Sequence, residues 1–418
     1  MRSHLSAFGV GAGLSLLAAG AFALIAPRFA DVEHDGDGVH IINIGGDDSG
    51  SFHLKDKGLN VTAEWKGDFS FAADGRSLTA LKGRLEIKSV ENGKTRTAVF
   101  ENADGGIVAS APLDDDKTQD KTEADRAAAD LLQLFARSSG VNAESRVKAM
   151  MSSGGKDLVL EEIGHLVGSH STGAYIEALA GAATLTDADV RSLAARVKGL
   201  DSDYAKRVAL SALLGSPSLG EAAIADILDA AKTIEGDHEL RLIVEELAEK
   251  ETSERNFSVA TALISEIDGD HEVRLAVSTL LESANVGDAD AARALGLAAK
   301  SIDGDHELRL AIEAADERVR GDAVGAAALA AIRAIEGAHD RRLAIENFAS
   351  ALDGASPHWL PLIDLVKGVD SDHERRLTIE AIRSEAPETD EIRAALRKAA
   401  ETIESEHERG LALEAVEE

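Results

Sequence analysis

The sequence predicts an α+β chain that is mostly α. A small antiparallel β domain is followed by an α-solenoid of about eight 34-residue helix–turn–helix repeats. Three observations lead there. A block of the type Ile-Asp-Gly-Asp-His-Glu-Leu-Arg returns along the C-terminal part of the chain, its rings at His170, Tyr204, His238, His271, His306, His339, His373 and His407. A period this regular is the signature of stacked helical units, each too small to bury its own apolar face. Between Val39 and Ser110 apolar residues alternate with polar ones, the period of half-buried strands. An uncharged run, Leu5 to Ala26, precedes both.

That run, rich in Ala, Gly and Leu, lies between Arg2 and Pro27-Arg28. Its length is that of a membrane anchor, which needs about 20 apolar residues. Ala21-Phe22-Ala23 would equally serve as a signal-peptide cleavage site. Residues 1–30 are therefore read as an anchor or a signal peptide, and membrane contact is expected through 5–26. Either way the bulk of the chain is expected to be exported.

Residues 31–111 are assigned to the β domain. Val39 and Ile41, Phe52 and Leu54, Val61, Ala63 and Trp65, Phe69 and Phe71, Leu85 and Ile87 share the alternation. Asn92-Gly93 marks a two-residue hairpin, because both residues tolerate the positive φ of a type I′ turn. Five to seven short strands are expected. About 70 residues make a thin core, so docking on the helices or on a second copy is expected to help. The polar stretch 112–125 is read as an acidic linker or the approach to a helix, and 126–418 as the solenoid.

Within one repeat, Ala223, Ile224, Ile227, Leu228 and Ala231 place an apolar stripe on a first helix. Gly236 is expected to take a left-handed position after it. Asp237 is expected to cap the second helix, with Asp237 and Arg241 as an i,i+4 pair. Leu240, Ile243, Val244 and Leu247 rebuild the apolar face. Six copies carry a basic residue three positions after the ring: Arg207, Arg241, Arg274, Arg309, Arg342 and Arg376. The outermost copies have Gly173 and Gly410 there. These arginines are expected to bridge adjacent repeats.

Composition narrows the function. Net charge is −31, from 75 acidic and 44 basic residues, which disfavours nucleic acid because phosphate binding needs clustered Lys and Arg. The absence of cysteine excludes disulfides, thiolate nucleophiles and Cys-ligated metal. The ring row is not read as a metal site: Tyr204 replaces an imidazole, and rings one repeat apart, roughly 10 Å, cannot share an ion whose ligands sit about 2 Å away. Packing and capping are the favoured roles of Tyr204, His238, His271, His306, His339, His373 and His407, with pH sensitivity as an alternative. Asp268-Gly-Asp270-His-Glu272 supplies too few oxygens for a calcium loop. No zinc-peptidase, P-loop or nucleophile-elbow motif occurs. No catalytic residue, cofactor or metal is expected.

Asp201-Ser202-Asp203-Tyr204 and Asp370-Ser371-Asp372-His373 resemble the "Ser-Asp-Tyr-Glu" helical repeats of a group of exported bacterial proteins. Similar repeats follow the membrane domain of some BlaR/MecR-like sensor metallopeptidases. Trp65-Lys-Gly-Asp68-Phe-Ser-Phe71, the stretch Val141 to Val147, and Gly154-Gly155 with Leu160 to Ile163 resemble the segments before those repeats. The resemblance covers roughly 40–418 and leaves out the peptidase domain. It implies an envelope location and an interaction role, with no catalysis. The expectation is a non-enzymatic, membrane-tethered or secreted bacterial envelope protein acting as a scaffold for protein partners. The alternative is the extracytoplasmic sensor arm of a signalling or stress-response system.

Overall fold

The computed structural model describes residues 39–43, 49–56, 58–103, 106–111, 121–250 and 253–417. The fold is α+β and mostly α, a small antiparallel sheet domain followed by a helical array. Among the described residues eight strands form the first part: β1 (Val39–Asn43), β2 (Gly50–Asp56), β3 (Leu59–Lys66), β4 (Phe69–Phe71), β5 (Leu78–Leu81), β6 (Arg84–Glu91), β7 (Lys94–Ala103) and β8 (Gly106–Ser110). Six pair in the order β1-β2-β3-β6-β7-β8, and β4 with β5 makes a separate hairpin. Every pairing is antiparallel. Between β6 and β7, Glu91 pairs with Lys94 across Asn92 (φ 50°) and Gly93 (φ 76°), the two positive φ angles of a I′ turn.

The alternation read from the sequence lands on one face. Phe52, Leu54, Val61, Ala63, Leu85, Ile87, Ala98 and Phe100 are buried there. The sheet does not complete its own core. Helix α1 (Lys121–Ser139) lies across that face and inserts Ala128, Leu131, Leu132, Phe135 and Ala136. Phe135 is fully buried, with its ring 5.6 Å from Phe52, 6.1 Å from Phe69 and 5.9 Å from Phe71. Two boundaries expected from composition therefore move. The helix starts at Lys121, inside the expected 112–125 linker, and α1 shares the core of the sheet. The physical reason is area: six short strands with one apolar face need a cover.

After α1 the chain alternates between two helical rows. The row nearest in sequence to each repeat motif comprises α3 (Ser169–Ala182), α5 (Asp203–Leu214), α7 (Asp237–Ala248), α9 (Asp270–Glu282), α11 (Asp305–Glu313), α13 (Ala338–Ala351), α15 (Asp372–Glu385) and α17 (Glu406–Glu417). Each is preceded by a member of the other row: α2 (Ala143–Ile163), α4 (Asp187–Val197), α6 (Glu221–Ala231), α8 (Glu254–Leu263), α10 (Asp288–Ser301), α12 (Asp322–Ala334), α14 (Trp359–Leu365) and α16 (Asp390–Ala400). Their apolar stripes merge into one core running from Ala143 to Val416. Alanines such as Ala276, Ala294, Ala311 and Ala328, fully buried, let neighbouring helices approach closely. Helix α2 is broken at Gly155, whose φ of 73° is outside the helical region.

Among the described residues no helix is long and apolar enough to cross a membrane. The expected anchor or signal, residues 5–26, lies outside the described residues.

Candidate functional site

The repeat motif sits at the turn between paired helices, and its Gly and Asp do different work from that expected. Gly236 is not left-handed. At φ −79° and ψ 118° it is the extended N-cap of α7, and Asp237 is the first helical residue. Gly269 and Gly304 repeat this geometry before α9 and α11. The Asp carboxylate turns away from its own helix and caps the next repeat. Asp203 accepts from the backbone N–H of Glu235 and Gly236, Asp237 from Asp268 and Gly269, and Asp270 from Asp303 and Gly304. Asp305 accepts from Glu336 and Gly337, and Asp372 from Glu404 and Ser405, all at 2.7–3.3 Å. Ser169 does the same with its hydroxyl for Asp201 and Ser202. Ala338 holds this place in α13 and has no oxygen to offer, so the column has a gap. The Ser405 N–H holds the Asp372 carboxyl below the usual carboxylate range, against the smaller pull of burial.

A second column runs beside the first. Arg207 Nε donates to Glu239 at 2.5 Å, Arg309 to Asp340 at 2.8 Å and Arg376 to Glu408 at 2.5 Å. Arg241, Arg274 and Arg342 reach Glu272, Glu307 and Glu374 in the same way. Each bond joins one repeat to the next. Four of these arginines also hold the acid one turn along their own helix, Glu245, Glu313, Glu346 or Glu380, at 2.5–2.6 Å. The expected Asp237–Arg241 pair is not made, since Arg241 is committed to Glu245 and Glu272. Guanidinium forks suit such two-carboxylate sites.

The rings lie outside this column. His238, His271, His306, His339 and His373 are about three-fifths exposed. Each accepts at Nδ1 from the Arg of its own helix, at 3.0–3.4 Å. Tyr204 substitutes a ring face, with the Arg207 guanidinium 5.1 Å from its centroid. His407 is exposed, and the Arg position of its helix is Gly410, where a Cβ would meet nothing within 4 Å. Among the described residues no three His, Asp or Glu side chains converge to hold a metal ion.

A buried charged cluster that the sequence reading did not identify lies where the sheet domain meets the array. Arg146 on α2 is fully buried. It donates to Glu162 at 2.5 Å and to the Tyr175 hydroxyl at 2.7 Å. Arg137 on α1 binds the same Glu162 through two bonds, at 2.8 and 2.7 Å. Burial pushes the Glu162 carboxyl up, but the Arg137 and Arg146 bonds outweigh it and leave the group below its ordinary value. The cluster ties α1, α2 and α3 together, and it reaches the sheet domain too. A Cβ at Gly75, whose φ is +66°, would stand 2.9 Å from Arg146 Nη2. Asn142 Nδ2 donates to the Phe69 carbonyl at 2.8 Å.

What remains free is as regular as what is bonded. The residue two before α5, α7, α9, α11, α13, α15 and α17 is acidic in all seven consecutive turns: Asp201, Glu235, Asp268, Asp303, Glu336, Asp370 and Glu404, and all seven are exposed. Their backbone N–H groups serve the Asp column in five cases and the Ser169 hydroxyl in one. Their carboxylates enter none of the ion pairs found among the described residues.

The class of protein these features define is a helical-repeat array capped at its start by a sheet domain. Comparison with protein-family models, with curated proteins and with solved structures gives no match.

Proposed function

We propose that this chain is a non-enzymatic, membrane-tethered or secreted bacterial envelope protein that acts as a protein-interaction scaffold. The observation that carries the reading is the division of labour in the motif. Asp, Arg and Glu at three positions are used up in joining repeats, while a fourth position in each turn, also acidic, is left to solvent. Seven in-register carboxylates with no bonding duty form an edge that an extended basic segment of a partner protein can follow. Solenoids offer long surfaces of this kind. The envelope location rests on the resemblance of the repeat and on the uncharged run 5–26.

The test is capture of partners from solubilised envelopes by the full chain and by a variant carrying Glu235→Gln, Asp268→Asn and Asp303→Asn. The reading expects a partner held by the parent and released at lower salt by the variant, with helicity and melting unchanged. An identical salt profile for both proteins would remove this edge as the binding surface.

A further inference from the structure

The six-stranded sheet ends at β8, and among the described residues nothing pairs with the outer side of that strand. An unpaired edge presents N–H and C=O groups that another strand can take up. Which groups face outward follows from the pairing with β7. Ala103 pairs with Gly106, and two residues that close so short a hairpin exchange both hydrogen bonds. From there bonded and non-bonded pairs alternate. Val108 spends its backbone groups on Glu101 and Ser110 on Val99, while Ile107 and Ala109, opposite Asn102 and Phe100, turn theirs to the open side. The β4–β5 hairpin does not close that side. It meets β7 on the face that carries Ala98 and Phe100, where Asn102 Nδ2 donates to the Leu81 carbonyl at 3.1 Å, and β5 pairs only with β4.

Edges of sheets are commonly protected by charge, proline or a bulge. β8, Gly-Ile-Val-Ala-Ser, has none of these. Val108, at 54% exposure, is the most exposed large apolar side chain among the described residues. Charge points to what covers it. Residues 39–111 hold ten acidic and nine basic residues, so nearly all of the net charge of −31 lies elsewhere in the chain. The sheet domain is therefore the part that a second copy can approach without strong repulsion. The edge is also its own complement. Ala111, just past the strand, packs into the core, so the straight edge is centred on Val108. A two-fold axis at Val108 sets Ile107 opposite Ala109 of a second copy and Ala109 opposite its Ile107, so that every outward N–H and C=O of these residues meets a partner.

We propose that two copies of this chain pair through β8, antiparallel about a two-fold axis at Val108, and join their sheets into one. Such an interface is isologous, the same strand serving on both sides. The two Val108 side chains, exposed in the single chain, cover one another across the axis. The inference stands independently of the acidic edge on the array.

The chain has no cysteine, so a single introduced thiol reports the register. On the axis the two copies of residue 108 form a non-hydrogen-bonded pair with Cα atoms about 4.5 Å apart, within reach of a disulfide. The experiment is mild oxidation of full-chain variants in detergent, read by non-reducing electrophoresis, with sedimentation equilibrium of the unoxidised proteins. Val108→Cys should give a covalent dimer as its main product. Ser110→Cys, whose two copies would stand roughly 14 Å apart along the strands, should remain uncrosslinked. Val108→Glu sets two carboxylates face to face at an exposed position and should weaken the wild-type dimer at least tenfold with helicity unchanged. Thr95→Glu makes the same charge change at an exposed residue of β7 and should leave the dimer as it is. A wild type that stays monomeric throughout the concentration series, equal cross-linking of Val108→Cys and Ser110→Cys, or a dimer as tight in Val108→Glu as in the wild type would overturn the proposal.

Discussion

The gap at Ala338 offers the sharpest test of how the repeats are joined. Ala338→Asp places a carboxylate where Asp203, Asp237, Asp270, Asp305 and Asp372 stand in other repeats. Its acceptors would face the N–H groups of Asp370 and Ser371. Asp270 shows the geometry to expect, with one bond at 2.8 Å and one at 3.2 Å. Hydrogen bonds to charged groups contribute about 1.5–3 kcal/mol net when well formed. One good bond and one long one, with the exposed Asp370 as a nearby like charge, bring the gain to about 1–2 kcal/mol by that scale. An acid in the first helical turn adds a few tenths through the helix dipole. Arg341, three residues on, would stand toward it as Arg375 stands toward Asp372. Because repeat arrays open locally, the assay is hydrogen exchange of the 366–374 segment read by mass spectrometry. Protection there should rise roughly 5- to 30-fold, the factor equivalent to 1–2 kcal/mol. Asp270→Ala should lower protection at Asp303 and Gly304 by a similar factor. Unchanged exchange in both variants would refute the idea that the Asp column joins the repeats.

Three further outcomes are expected. Glu162→Gln leaves Arg146 buried without its counter-charge and should cost about 3–5 kcal/mol in urea denaturation at pH 7. Because the Glu162 carboxyl is held below its ordinary 4.5, its contribution is complete above that pH and fades as pH falls through the lowered folded value, so the gap between wild type and variant should narrow on acidification. Phe135→Ala removes the ring that four aromatic residues of the sheet domain surround; a loss of about 3–5 kcal/mol should appear in the near-ultraviolet signal of Trp65. Glu177→Gln should raise the melting temperature slightly at pH 7.5 and not at pH 4, because a carboxyl whose pKa is raised on folding disfavours the folded state only above that value.

Much of the architecture was legible because it rests on periodicity. The period of two found the strands, Asn92-Gly93 found a hairpin, and the 34-residue spacing found the array. The short β5 escaped because four residues carry no period. The role of the Asp was misplaced for a definite reason. Read within one repeat, the nearest free N–H groups to Asp237 are those of its own helix. Its real partners are 31 and 32 residues away, and no local pattern shows them. Arg146 was missed because an arginine beside Glu144 and Ser145 looks like a solvated face, although Val147 and Met150 beside it point to the core.

The central claim is that the motif's Arg and acid are joints between repeats. A double-mutant cycle on Arg274 and Glu307 tests it most directly, because Arg274 has no acid one turn along its own helix: position 278 is Ser278. Denaturation of the wild type, Arg274→Ala, Glu307→Ala and the double variant isolates the pair. The account predicts a favourable coupling of about 1 kcal/mol or more for this half-buried pair. Additive single effects, with no coupling, would contradict it and return the arginine row to the list of surfaces free to bind.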